Sequence, residues 1–266
     1  MRRTAMVQRH PRPFMEPDPL EAERGSGGIN ADLGRFAVVH TARVDWQPSP
    51  SPSVWRKRLD LTGDPERSRV TSVVRYDPNS KFPSHPHPDG EEILVLDGVF
   101  SDEHGDYGAG SYLLNPEGFS HAPFSLGGCT LFVKLRQYPG PDRRRIRVDT
   151  LAGGWRSTPD AGVRAMTLYE EEGFPEVTSL LRLEPGGRLA ARPYPKGAEI
   201  FLIDGQCRQA DVHLASGSWA RYPAGTRLEL ESDGGCKLYL KTGHLPAREI
   251  IGRGPGGVGF GITPGA

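Results

Sequence analysis

The sequence predicts an all-β protein built from two copies of one domain. Hydrophobic and polar residues alternate along short segments, as in half-buried strands, and 34 glycines and 25 prolines supply turns between them. The chain also repeats itself at a fixed interval. Helical periodicity is nearly absent, and only one helical turn, near Ala152–Trp155, is predicted. The chain has 266 residues, which suits two domains of about 110 residues each.

The repeat interval is 107 residues, the separation between Val70-Thr-Ser and Val177-Thr-Ser. Glycine and proline set backbone geometry, so their recurrence in register predicts the same turns in both copies. Two long copies indicate a duplicated domain rather than a solenoid, which needs three or more short repeats. The matched turn residues are Pro78 and Pro185, Gly98 and Gly205, Gly110 and Gly217, Pro116 and Pro223, and Gly118 and Gly225.

Alternation places the strands at equivalent positions in the two copies, and Gly98 is predicted to end the strand that follows Glu91. We predict a flexible N-terminal arm over residues 1–38, a first domain over 39–149, a second over 150–252 and a glycine-rich tail over 253–266. The predicted strands are Val54–Leu61, Val70–Tyr76, Glu92–Leu96, Ser111–Asn115 and Thr130–Arg136, then Val177–Leu183, Glu199–Ile203, Ser218–Tyr222 and Lys237–Lys241.

The segment that contains His85, His87 and Glu91, followed later by His121, predicts a metal site. Two histidines one residue apart on a strand point to the same face. Glu91 can face the same centre after the Asp89-Gly90 turn, and His121 on another strand completes the set. Imidazole and carboxylate suit zinc, iron, manganese, nickel or copper and do not single out one of them. One His-x-His alone would favour a solvated loop, but the whole constellation favours a metal site.

These residues and the turns around them resemble the two signature motifs of the cupin superfamily, in which the same four ligands hold one divalent ion. The segments GEEILVLDGVFSDEHGDYGAGSYLLNP and GCTLFVKLRQ are similar to ChrR-like cupins over roughly residues 40–150. The resemblance implies two tandem jelly-roll barrels, a bicupin. The chain departs from the superfamily pattern at Asn79, where glycine is usual, and at Ser125. Asparagine tolerates the left-handed backbone that glycine provides there.

The second copy has lost every predicted ligand. At the repeat interval His85, His87, Glu91 and His121 become Arg192, Tyr194, Ala198 and Leu228. We therefore predict a C-terminal barrel that keeps the fold without the metal site. Its interior is expected to be filled by packed side chains. A pocket for an anion beside Arg192 is the alternative.

The ligand set permits two functions. Six-coordinate Fe(II) or Mn(II) would keep two positions open, as in a dioxygenase-like oxidoreductase that acts on a small organic substrate. In a tetrahedral zinc site the four ligands would fill the coordination shell of the ion. The ChrR resemblance implies a zinc-binding regulatory or sensor cupin. Fe(II) or Zn(II) is the expected ion, with Mn(II) or Ni(II) as alternatives. The first 40 residues hold no His-x3-Cys-x2-Cys motif, so no anti-sigma zinc domain is expected, and we favour the enzyme.

Glu91 is the predicted catalytic residue because it is the one anionic ligand. Glu92 should point away from the metal, since side chains alternate along a strand. Four aromatic residues near the site in sequence are predicted to line the substrate pocket, although each is an equally good core residue: Phe82, Tyr107, Phe119 and Phe124.

Composition argues against several other classes. Lys and Arg number 33 and Asp and Glu also 33, so no general attraction to nucleic acid is expected. No apolar run reaches membrane-spanning length, and no apolar signal core follows Met-Arg-Arg, so a cytoplasmic protein is predicted. Three cysteines argue against a disulfide framework, and Cys129 and Cys236 are interpreted as buried hydrophobic residues. A homodimer is possible by family analogy.

Overall fold

A computed structural model of the protein describes residues 28–64, 67–140 and 142–246. These residues form β-strands and one short 3-10 helix, Thr41–Arg43, and they contain no α-helix, which confirms the all-β prediction. The helical turn predicted at 152–155 is an irregular turn instead, because Gly153 and Gly154 both have positive φ angles. No helix among the described residues is long and apolar enough to cross a membrane.

The described residues fall into two compact units, 28–32 with 39–153 and 33–38 with 154–246. Most strands of the first unit form a sheet in the order β13-β9-β7-β12-β4-β3-β2, with β5, β8 and β11 at its sides and β6 paired with β10. Its strands are β2 (Gln47–Pro48), β3 (Val54–Leu61), β4 (Val70–Tyr76), β5 (Ser80–Lys81), β6 (His85–Pro86), β7 (Glu91–Asp102), β8 (Gly105–Gly108), β9 (Ser111–Asn115), β10 (Ser120–His121), β11 (Phe124–Ser125), β12 (Cys129–Leu135) and β13 (Ile146–Asp149), whereas β1 (Ala37–His40) belongs to the sheet of the second unit.

The second unit contains a sheet in the order β1-β20-β18-β22-β16-β15-β14, to which β17, β19 and β21 add. Each unit is a jelly-roll barrel, and we call them the first and second barrels. The second barrel's strands are β14 (Arg156–Ser157), β15 (Val163–Tyr169), β16 (Val177–Leu183), β17 (Gly187–Tyr194), β18 (Ala198–Gln209), β19 (Val212–Ala215), β20 (Ser218–Tyr222), β21 (Thr226–Ser232) and β22 (Cys236–Thr242).

The internal repeat predicted from the sequence is present in the structure. Strands β4, β7, β9 and β12 begin 107 residues before β16, β18, β20 and β22, as the starts at Val70 and Val177 illustrate. Asn79, which replaces the usual glycine, has a φ of 63° and so adopts the expected left-handed backbone. Equivalent turns and strands show that one fold is built twice.

The longest strand of the first barrel, β7, was expected to end at Gly98, but it continues through this residue to Asp102. Gly98 has a φ of 73°, and a Cβ atom there would lie 2.2 Å from the Gly128 carbonyl oxygen. Glycine therefore lets the strand bend where its pairing with β12 shifts register. One continuous strand thereby carries Glu91 at one end and Asp102 at the other.

The arm predicted over residues 1–38 is structured at its C-terminal end. Ile29 exchanges backbone hydrogen bonds of 2.9 and 2.8 Å with Leu61, and β1 extends the second barrel's sheet beside β20. The apolar side chains of Ala37 and Val39 on β1 are buried, which accounts for the order. Residues 1–27 and the predicted tail over 253–266 lie outside the described residues.

Candidate metal centre

Three histidines converge at one side of the first barrel's interior. Potential ligand atoms of His85, His87 and His121 all lie within 4.8 Å of one another, and they are the one such group among the described residues. The Nε2 atoms of His87 and His121 are 3.0 Å apart. His87 and His121 are buried and His85 is partly exposed. The three predicted histidines are therefore brought together.

Local strand pairing places these side chains. The short strands β6 and β10 pair so that His121 stands opposite His85. The amide of His87 donates to the Phe119 carbonyl oxygen at 2.9 Å, which continues the pairing by one residue. In the second barrel the residues at the same positions, Arg192 and Leu228, stand opposite each other on the antiparallel strands β17 and β21. The histidines thus occupy paired positions that the fold supplies in both copies.

Glu91 lies beside the histidines, and its neighbour Glu92 lies on the other face of β7. Glu91 Oε2 is 3.4 Å from His87 Nε2 and 3.5 Å from His121 Nε2. It also accepts a 3.1 Å hydrogen bond from Asn115 Nδ2. Glu92 instead accepts hydrogen bonds from the hydroxyl groups of Tyr112, at 2.8 Å, and Tyr138. Alternation along the strand therefore separates the two carboxylates as predicted.

Asp102 contacts the Nδ1 atom of His121 and so orients its ring, and the sequence analysis did not predict this residue. Its Oδ2 lies 3.1 Å from His121 Nδ1, while its Oδ1 accepts hydrogen bonds from Tyr107 OH at 3.0 Å and from the His104 amide at 2.8 Å. No motif spacing points to Asp102, because the bend at Gly98 determines where it lies. Burial raises the pKa of Asp102, but the hydrogen bonds from His121, His104 and Tyr107 outweigh it and leave the pKa below its usual value.

The donor set fits a divalent cation. His121 donates its Nδ1 proton to ionised Asp102 and His85 donates its own to the Pro83 carbonyl oxygen at 2.7 Å, so Nε2 carries the lone pair in both rings. Burial, with smaller contributions from the charges of His85 and Arg136, lowers the pKa of His87 to about 3. Burial also lowers the pKa of His121. Neutral imidazoles beside a carboxylate are the ligands that such an ion requires.

Glu91 is the one predicted ligand whose pKa shift disfavours the form that binds a metal, which for a carboxyl group is the ionised form. Burial raises the pKa of Glu91, and the opposing effects of His121 and the Asn115 hydrogen bond are smaller. A divalent cation beside this carboxylate would act in the opposite direction and hold it ionised.

A cavity of about 280 Å³ adjoins the histidines inside the first barrel. Its wall is mostly apolar, as is usual for a small-molecule site. Four of its polar lining residues, besides the histidines and Glu91, are Arg56, Ser72, Tyr76 and Arg136.

One of the four aromatic residues predicted to line the pocket does so. Phe82 lines the cavity, with its ring centroid 4.8 Å from that of His85. Phe119 precedes β10 and lies outside the cavity, where its ring packs on His104 at 5.3 Å and beneath Arg145 at 4.2 Å.

The other two also lie elsewhere. Tyr107 is buried in the barrel wall, since its hydroxyl group is bonded to Asp102. Phe124 lines a more open neighbouring pocket, with Lys81 and Leu126, on the other side of Phe82 and Pro123 from the residues that face the histidines. Pro123 lines the cavity, and alternation turns the next side chain, Phe124, away from it.

The second barrel is packed where the first holds its ligands. Ala198 and Leu228 are fully buried members of an apolar core, and Tyr194 packs against that core. The Arg192 guanidinium is partly exposed and forms an ion pair with Asp160. The three cysteines are free thiols and are buried, as predicted for Cys129 and Cys236. The filled interior favours packing over an anion pocket at Arg192.

A jelly-roll barrel with convergent histidines in its interior defines a cupin with a candidate metal site. The family model described as the ChrR cupin-like domain matches residues 35–139 and again residues 143–246. The chain therefore belongs to the ChrR cupin-like family and is a bicupin. No curated protein matches the sequence.

Solved structures share the fold at low sequence identity. A putative dioxygenase from Nostoc punctiforme aligns with a TM-score of 0.67 and 18% identity, over 81% of this chain and 86% of that one. A putative glyoxylate-induced protein from Pseudomonas aeruginosa aligns with a TM-score of 0.64 and 15% identity, over 81% and 93%. Bacillus subtilis oxalate decarboxylase, described with Mn(II) centres, aligns with a TM-score of 0.57 and 12% identity, over 78% and 77%.

Replacing Asp102 by asparagine is expected to weaken metal affinity about 10- to 100-fold, because His121 would lose the charged acceptor that orients its ring and fixes its tautomer. Competition titration against a chelator of known affinity measures the change. Asp106→Asn is the matched control, since Asp106 accepts a bond from Ser101 at 2.6 Å and does not contact His121. Equal affinities in both variants would show that Asp102 does not support the metal site.

Proposed function

We propose that this bicupin is a mononuclear non-haem metal-dependent oxidoreductase, dioxygenase-like, that acts on a small organic substrate in the first barrel. The observation that carries the proposal is that the three histidines and Glu91 line the same cavity of about 280 Å³. A substrate in that cavity would meet the metal directly. The fold shared with a putative dioxygenase and with oxalate decarboxylase supports the class of chemistry.

Each residue of the site has a distinct role in this proposal. His85, His87, His121 and Glu91 would hold the ion, and Fe(II) or Mn(II) would supply redox chemistry and open positions for dioxygen and substrate. Asp102 retains the Nδ1 proton of His121 and so keeps its Nε2 lone pair available. The apolar part of the wall would lower the polarity around the reacting groups, and electrostatic interactions within the cavity would be stronger for it.

A zinc-binding regulatory or sensor cupin is the second candidate. It is favoured by the number of donors, because three imidazoles and one carboxylate complete a tetrahedral zinc shell. In that case the cavity would admit a signal molecule without turnover.

Metal analysis coupled to oxygen-uptake measurements tests the choice. Protein purified without added metal is expected to contain about one iron or manganese ion per chain. A screen of small organic acids, ketones and diols should then identify a compound that stimulates oxygen uptake. Tightly held zinc and no uptake after reconstitution with Fe(II) would contradict the oxidoreductase and favour the sensor.

A further inference from the structure

We propose that the ligand of the first barrel is a small organic carboxylate, with its anionic group held by Arg56 and Arg136 and its apolar part against the aliphatic wall. The inference rests on the proposed function, since it assigns a substrate class to the same cavity. Four observations support it: the charge of the cavity, the backbone of Arg136, the loss of Arg56 from the second barrel and the unpartnered hydroxyl group of Ser72.

The charge of the cavity favours an anion. Arg56, Arg136 and Glu91 carry the formal charges of the described lining residues, if the histidines are neutral. Glu91 lies within 3.5 Å of two histidines and therefore belongs to the metal group. A divalent ion adds two further positive charges, so the cavity carries a positive surplus. A guanidinium group suits a carboxylate in particular, because its planar fork can donate two parallel hydrogen bonds.

Arg136 occupies a backbone conformation that favours glycine. Its φ is 57°, in the left-handed region that is costly for residues with a Cβ atom. The equivalent residue of the second barrel is Gly243, with a φ of 80°. Both amides donate to an equivalent carbonyl, that of Gly90 at 3.0 Å and that of Gly197 at 3.4 Å. The first barrel thus retains an arginine at a position where the fold is satisfied by glycine, as is typical of strained residues at functional sites.

Arg56 is also missing from the barrel that lacks metal ligands. Arg56 pairs with Val74, and Ala165 pairs with Leu181, the residue that matches Val74 at the repeat interval. Ala165 packs against the second barrel's apolar core. Arg56 and Arg136 are therefore not needed to close a barrel of this fold. They occur in the copy that holds the ligands and are replaced in the copy that does not.

Ser72 supplies a polar group that lacks a partner. Its residue is 3% exposed, it lines the cavity, and its Oγ has no hydrogen-bond partner among the described residues. A buried hydroxyl group without a partner is unfavourable, and a ligand oxygen would provide one. The surrounding wall, which includes Val74, Ile93, Leu131 and Val133, suits a short aliphatic or aromatic body.

Binding to zinc-loaded protein tests the inference without requiring turnover. The probes are two matched pairs, benzoate with benzamide and butyrate with butyramide, measured by isothermal titration calorimetry. Each carboxylate is expected to bind about tenfold or more tightly than its amide, because only the acid forms charge-assisted hydrogen bonds. Arg56→Gln and Arg136→Gln should each remove most of that preference while metal content stays unchanged.

Two further variants keep the test independent of folding. Arg136→Gly introduces the residue that the second barrel carries, so it should fold and still lose carboxylate affinity. Arg147→Gln is the control, because Arg147 lies over Tyr107 at 4.6 Å and does not line the cavity; it should bind as the wild type does. Equal binding of acid and amide, no binding of either acid, or unchanged affinity in both Arg136 variants would overturn the inference. Acid-selective binding through Arg56 and Arg136, in a protein that shows no oxygen uptake after reconstitution with Fe(II), would support the inference and contradict the oxidoreductase.

Discussion

Replacing His85 and His121 together by alanine is expected to abolish stable metal binding, while the wild type retains about one divalent ion per chain. His85 and His121 lie opposite each other on paired strands, so the double variant removes both sides of the site. His87 and Glu91 remain, and one imidazole with one carboxylate is too small a ligand set to hold a transition metal firmly. Elemental analysis after dialysis against a weak chelator measures the loss.

His213→Ala is the matched control, because His213 is exposed on β19 of the second barrel. It should retain the full metal content. Circular dichroism of all three proteins shows whether the barrels remain folded. Metal retained in the folded double variant, or a wild-type stoichiometry near two, would mean that the ion binds elsewhere.

Replacing Glu91 by glutamine is expected to reduce turnover far more than substrate binding. Glutamine keeps the shape of the side chain but removes the one anionic charge among the predicted ligands, and that charge offsets the divalent ion and tunes its redox behaviour. We expect turnover to fall by about two orders of magnitude, comparable with the loss of a conserved polar group at a catalytic centre. Steady-state rates normalised to metal content, with separate measurement of substrate affinity, distinguish the two effects.

Glu92→Gln is the control that distinguishes an effect on the metal site from an effect on the stability of the fold. Glu92 is buried and bonded to Tyr112 and Tyr138, so the substitution is expected to cost about 1–3 kcal/mol of unfolding free energy. Its turnover per metal ion should stay near that of the wild type. If the Glu91→Gln protein were active and the Glu92→Gln protein were free of metal, the ligand would be Glu92 and the assignment to Glu91 would be wrong.

The duplicated fold could be predicted because turn residues carry a local signal. Glycines and prolines recur at the repeat interval, and Val54–Leu61, Val70–Tyr76 and Ser111–Asn115 are strands with the predicted bounds. The clustering of His85, His87 and His121 followed from strand parity and motif spacing. Parity also separated Glu91 from Glu92.

The remainder of the site depends on contacts between residues far apart in sequence. Asp102 reaches His121 because β7 bends at Gly98, which the sequence suggested as a strand end. Arg56 and Ser72 line the cavity from β3 and β4, and no short motif relates them to the histidines. Proximity in sequence predicts that Tyr107, Phe119 and Phe124 line the pocket. Side-chain alternation and hydrogen bonding instead determine which aromatic residue reaches the cavity.

The location of the metal can be measured with an anomalous difference map from crystals of the metal-loaded protein, recorded at the absorption edge of the bound ion. We expect one peak per chain, in the first barrel, within about 2.0–2.2 Å of the three histidine nitrogens and of a Glu91 oxygen. The second barrel should show no peak beside Arg192, Tyr194, Ala198 and Leu228. A peak of comparable height in the second barrel, or a first-barrel ion bound without His121 and Glu91, would show that the single four-ligand site is wrong.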